Sequence, residues 1–208
     1  MKIPDYLNEI RHAVTTVISE IHGEIARLES LRQELAKLTA ATEASYRRVE
    51  FFAMNPDLDD DFLGTVIYWD TYFGVDKDRF HKNVETEQAA QRVATHEFSV
   101  SALAGSLLQY GKQGISLCFG KKRVGCPDGR TVVGMPLQEV IWQARNQALH
   151  WEDGVFHPLT VTCFESLAAN ADPVFSQYKF RSLAYEIVVL LGWKSVDDFC
   201  RDMMLFNV

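Results

Sequence analysis

Three polar side chains interrupt an otherwise apolar stretch near the middle of the second half of the chain. Between Pro136 and about Glu152, Val140, Ile141, Trp142, Ala148 and Leu149 set the character, and Arg145, Asn146 and His150 stand out against it. The stretch reads as one helix. Asn146 and His150 then lie one turn apart on the same face, with Arg145 about 100° round the axis from Asn146, so the three can line a shared cleft. Each brings a distinct capacity. Histidine, with an ordinary pKa near 6.5, can take or give a proton at neutral pH. Arginine presents a planar fork of donors that suits phosphate oxygens and developing negative charge. Asn146 carries both a donor and an acceptor and can orient the imidazole or a ribose. Glu152 is a further candidate for setting the His150 ring. A second copy of this helix across a twofold axis would bring two arginines and two histidines together. The competing reading is purely structural, a cation pair favoured by the negative end of a helix.

Other candidate chemistry is sparse. His12 and His22 fall on the first helix, and His81, His96 and His157 have no partner at metal-ligand spacing; His96-Glu97 lacks the second histidine of a zinc-protease motif. Gly120 and Gly125 do not make a phosphate loop, because Cys126-Pro127 stands where Lys-Ser/Thr is required. The four cysteines, Cys118, Cys126, Cys163 and Cys200, include no Cys-x-x-Cys pair and read as reduced structural thiols. No metal site and no cofactor is expected.

Charge adds a local signal. The 208 residues carry 21 Lys+Arg against 28 Asp+Glu, a net charge of -7, which excludes a protein that coats nucleic acid by bulk charge. Residues 111–150 run the other way. There Lys112, Lys121, Lys122, Arg123, Arg130 and Arg145 face only Asp128 and Glu139, a local excess of +4. Lys121, Lys122, Arg123 and Arg130 precede the motif helix and are candidates to track a phosphate backbone, with a merely solvated loop as the alternative.

The elements that must position these groups are helical. With 47% hydrophobic and 24% charged residues the chain has material for a sizeable core. Residues 5–41 carry a heptad, with Leu7, Val14, Ile21, Leu28 and Leu35 alternating with Ile10, Val17, Leu31 and Leu38, broken only by Glu24. Ile18 and Ile25 widen the stripe beyond a two-stranded seam, which suits a helix inside a bundle. Such a helix would be on the order of 50 Å long, so it projects, pairs or bends near Gly23. A second helix over 42–54 stops at Asn55-Pro56. Asp57, Asp59, Asp60 and Asp61 then suit a helix start ahead of Phe62, Leu63, Val66 and Ile67, with Trp69, Tyr72 and Phe73 in the core. Further helices are expected over 84–119, from Pro136 to about Glu152, 159–170, 175–191 and 195–206, the last capped by Ser195. Residues 120–134 read as a loop or small hairpin, with Cys126-Pro127-Asp128-Gly129 turning between Arg123-Val124 and Thr131-Val132-Val133.

The expectation is an all-α, up-and-down helical bundle with a long N-terminal helix or helical hairpin, divided into an extension at 1–54 and a bundle at 55–208. The longest apolar run, Ile187 to Trp193, is far short of the roughly twenty residues that span a membrane. With no apolar segment after Met1 resembling a secretory signal, a cytoplasmic location is expected.

The stretch Arg145-Asn146-x-x-x-His150 resembles the R-x(4-6)-H motif of the HEPN family (higher eukaryotes and prokaryotes nucleotide-binding), whose residue after the arginine is typically polar. The family is an all-α bundle with its motif on a helix that follows long helices, and residues 84–191, about half the chain, offer that layout. The resemblance implies a metal-independent endoribonuclease whose composite site forms in a homodimer, with Arg145, Asn146 and His150 as its catalytic residues. It further implies RNA as substrate and a toxin or phage-defence role, with a possible antitoxin protein as partner. Some members are non-catalytic, so the alternative is a bundle that binds a partner protein or nucleotide. A coiled-coil scaffold with an accidental motif is the third reading.

Overall fold

The computed structural model describes residues 1–54 and 76–208. The expected helix start at Asp57–Asp61 and the aromatic core residues Trp69, Tyr72 and Phe73 lie outside the described residues. The fold is all-α, and among the described residues the only sheet is one two-stranded hairpin. Helix α1 runs Ile3–Met54 without a break at residue 41, and α2 runs Asp76–Phe119, starting before the expected residue 84. The chain forms two compact units, Met1–Glu24 with Phe98–Val208, and Ile25–Glu97. Both long helices contribute to each, so the division falls within α1 and α2 and not at residue 54. Among the described residues no helix is long and apolar enough to cross a membrane.

In the Ile25–Glu97 unit the two long helices run antiparallel. Arg32 meets Glu97 at 2.7 Å, Glu34 meets Arg92 at 2.9 Å, and the hydroxyls of Thr42 and Thr86 lie 3.2 Å apart. The ion pairs are half exposed and each adds little to stability. The apolar contribution comes from Leu28, Ala89 and Val93, which are buried, while Leu31, Leu35 and Leu38 are only half covered.

The larger unit holds the motif. Its share of α1 buries Ile3, Tyr6, Leu7, Val14, Ile18 and Ile21, whereas Ile10 and Val17 stay half exposed. The working stripe is therefore the widened one, as a bundle helix requires. Tyr6 is buried and donates to the Tyr110 carbonyl at 2.7 Å. Its ring lies where a side chain at Gly114 would go: a Cβ there would sit 2.7 Å from Tyr6 Cε1 and 2.9 Å from Met203 Cε. Gly114→Ala should accordingly lose about 1–2 kcal/mol by overpacking, despite alanine's better helix propensity. A thermal melt that rises would refute this packing.

After α2 a two-stranded hairpin pairs β1 (Thr131–Val132) with β2 (Met135–Pro136). This corrects the expected pairing of Arg123-Val124 with Thr131–Val133. The turn is instead Val133-Gly134, with φ of 49° and 80°, the doubly left-handed backbone of a tight hairpin. Valine is an unfavourable residue in that backbone, which is why the sequence hides the turn. Helix α3 (Leu137–His150) follows, continued by a 3-10 turn over Trp151–Asp153 that Gly154 ends at φ 67°. Helix α4 spans Pro158–Asn170, capped by the His157 ring, which accepts from the Leu159 amide.

The expected helix over 175–191 is divided in two, a 3-10 segment Pro173–Lys179 and α5, Ala184–Leu191. The cause lies 31 residues or more away in sequence. Gln147 of α3 donates to the Tyr178 and Arg181 carbonyls at 2.8 and 2.7 Å and accepts from the Leu183 amide at 3.0 Å. Groups that a continuous helix would pair internally are thus taken by a buried amide. Helix α6 (Val196–Met204) opens with the expected Ser195 cap, completed as a capping box by Asp198. The Ser195 hydroxyl bond, followed by Arg201, holds the Asp198 carboxyl below its ordinary pKa. Its contribution is present above the ordinary carboxylate pKa and is lost as pH falls through the lower folded value.

Candidate nucleic-acid interface

Helix α3 has an inner and an outer face, and the inner face fixes the outer. Leu137, Val140, Ile141 and Ala144 are fully buried, spaced to form one stripe. Beside them a polar row at 139, 143 and 147 ties the helix to its neighbours. Arg123 donates to Glu139 at 2.6 Å, Gln143 donates to Glu139 at 2.7 Å, and Thr160 donates to Gln143 at 2.7 Å. With Gln147 added, rotation of α3 would break bonds to the loop after α2, to α4 and to the segment before α5 at once. The sequence signal of this row is faint, a carboxylate and two amides one turn apart beside an apolar stripe.

The outer face carries Trp142, Arg145, Asn146 and His150. Arg145 is half-buried; its Nε donates to Gln109 Oε1 of α2 at 2.5 Å, and Nη1 makes a long contact of 3.4 Å to Asn146 Oδ1. Among the described residues no carboxylate pairs with it. Burial lowers the guanidinium's pKa from its ordinary value, without making it anything but a cation at neutral pH. One turn along α2 from Gln109, Lys112 places Nζ 4.7 Å from the centre of the Trp142 ring, and Arg123 Cζ lies 4.7 Å from the same ring. The Lys112 ammonium is pushed below the ordinary lysine pKa, first by burial and then by the nearby cations Arg145 and Lys121.

His150 lies at the far end of α3, exposed, with Nδ1 3.0 Å from Asp153 Oδ2. Asp153, and not Glu152, is therefore the carboxylate that sets the ring. The structure brings Arg145 and Asn146 together and joins His150 to neither of them within one chain.

The four candidates for backbone tracking divide evenly. Lys121 and Lys122 are exposed in the turns that follow α2. Arg123 is committed to Glu139, and Arg130 to Asp202, through Nε and Nη2 at 2.7 Å each, with a further 2.7 Å bond to the Leu191 carbonyl. Lys112 belongs to the basic excess of residues 111–150 and Trp142 to the apolar background of the motif helix, whereas Gln109 and Asp153 have only the helical spacing of Gln109 and Lys112, and of His150 and Asp153, to mark them.

All four cysteines are thiols, and burial drives Cys126 up to about 11 and Cys163 up to about 12, so both stay protonated and weakly reactive. Among the described residues no group of three or more His, Cys, Asp or Glu side chains is placed to hold a metal ion. No family model, curated protein or solved structure matches the chain.

Proposed function

We propose that this chain is a metal-independent endoribonuclease of the HEPN type, acting as a homodimer in the cytoplasm in a toxin or phage-defence role, with an antitoxin protein as a possible partner. The observation that carries the reading is the presence, on one helix, of a half-buried Arg145 cation with no carboxylate partner among the described residues and an exposed His150 backed by Asp153. In the proposed reaction, with His150 Nδ1 engaged by Asp153, Nε2 takes the proton of an RNA 2′-OH, whose oxygen attacks the adjacent phosphorus. The bond to the 5′-oxygen breaks, that oxygen receives a proton from a water molecule, and a 2′,3′-cyclic phosphate and a 5′-hydroxyl result. Arg145 stabilises the charge on the non-bridging oxygens. Asn146, whose Oδ1 faces Arg145, retains its amide donors for the ribose.

The separation of His150 from Arg145 within one chain favours the second reading, a non-catalytic bundle that binds a partner protein or nucleotide. Incubating purified protein with mixed RNA in EDTA separates the two. Cleavage that falls by about 10²–10⁴-fold in His150→Ala at unchanged helicity supports the nuclease; intact RNA with dimeric wild type rejects it.

A further inference from the structure

Two contacts between α2 and α3 define a small polar patch. Gln109 reaches Arg145 at 2.5 Å, and Lys112 reaches the Trp142 ring at 4.7 Å. Positions 109 and 112 of one helix thus face 145 and 142 of the other, one turn apart on each. The register places the Lys112 ammonium and the Arg145 guanidinium on the same side of the helix pair, and Lys121, exposed in the turn just after α2, lies within electrostatic range of Lys112. Cations assembled this way repel one another. The nearest carboxylate of α3, Glu139, is already occupied by Arg123 at 2.6 Å and by Gln143 at 2.7 Å. Both Lys112 and Arg145 are half withdrawn from water, so each has lost hydration without gaining an ion partner among the described residues.

We infer that Lys112 and Arg145, with Lys121 at the rim and Gln109 orienting the guanidinium, form a seat for one phosphate group of a nucleotide or RNA strand. The guanidinium fork meets two phosphate oxygens in its plane, and the ammonium supplies a point charge beside it. Gln109 uses a neutral oxygen to hold Arg145 and leaves the positive charge uncompensated. Trp142 walls the seat and fixes Lys112 through its ring. The ligand class rests on the RNA reading above; the seat itself does not require cleavage.

The test is binding of a fluorescent single-stranded 2′-O-methyl RNA, which cannot be cut by 2′-OH attack, followed by anisotropy at several salt concentrations. Lys112→Gln and Arg145→Gln should each weaken binding about tenfold at low salt and reduce the salt slope by about one, whereas Lys194→Gln, an equal charge loss at an exposed lysine elsewhere, leaves both unchanged. Circular dichroism on each variant guards against misfolding. Inorganic phosphate and a nucleoside monophosphate serve as competitors: displacement identifies a seat for a terminal phosphate, and displacement only by another strand identifies a seat for the diester backbone. Variants indistinguishable from Lys194→Gln, or a wild type that binds no strand and no phosphate, overturn the seat. Lys112-dependent binding without cleavage in EDTA keeps the seat and removes the nuclease; cleavage with binding indifferent to Lys112 does the reverse.

Discussion

Arg145→Ala and His150→Ala proteins, each inactive alone, should recover about a quarter of wild-type RNA cleavage when mixed and allowed to exchange subunits. The reason is the arrangement along α3. The two residues are separated by about 140° round the helix axis, and their side chains are held apart, Arg145 by Gln109 of α2 and His150 by Asp153 beyond the helix. If each active site takes its arginine from one protomer and its histidine from the other, half the dimers in an equal mixture are mixed. Each mixed dimer has one intact site out of two. Against a baseline reduced by about 10²–10⁴-fold in either variant, a return to about a quarter is a large signal. A mixture that stays at the level of its components would place both groups in the same protomer and sink the shared site.

Replacing Arg130 should cost the fold about 2–4 kcal/mol and lower the melting temperature by about 5–15 °C. Asp202 is only 6% exposed and accepts from Arg130 twice and from the Trp193 indole at 2.8 Å. The bonds from Asp202 raise the Arg130 pKa despite partial burial. Arg130→Met leaves a buried carboxylate with one neutral donor, and it also strips the Leu191 carbonyl of a charged partner. The value sits at the lower side of a broken buried pair because the arginine side chain is 39% exposed. An unchanged melting temperature would show that water replaces the guanidinium without cost. This ion pair staples the loop before the hairpin to α6, so in the folded chain Arg130 serves structure before any ligand.

What the sequence could disclose follows from the range of the interactions involved. The all-α class is local information: apolar spacing at three and four residues, Ser195 and Asp198 as a capping box, Gly154 as a left-handed stop after the motif helix. The motif residues were visible for a similar reason, because Arg145, Asn146 and His150 are polar intrusions within one apolar turn pattern. Their partners were not. Gln109 is 36 positions from Arg145, and Asp202 is 72 from Arg130, so which guanidinium is spent inside the protein depends on tertiary packing that no spacing rule encodes. The break before α5 was invisible because residues 175–191 contain no Gly or Pro to mark it and their backbone is claimed from afar. The hairpin was half visible. Its first strand lies within the β-compatible run Thr131-Val132-Val133, and its turn is masked by Val133, where asparagine or glycine is usual.

Gln147 also has a meaning in the language of codes. Its side chain must supply two donors and one acceptor, at a reach that satisfies the carbonyls of Tyr178 and Arg181 and the amide of Leu183 together. Glutamate offers acceptors alone, lysine offers donors alone, asparagine falls one methylene short, and leucine strands three backbone groups at about 1–3 kcal/mol each. Twenty amino acids therefore reduce to one at this position, and a full substitution series there would spell a single permitted letter one turn from the histidine of the motif.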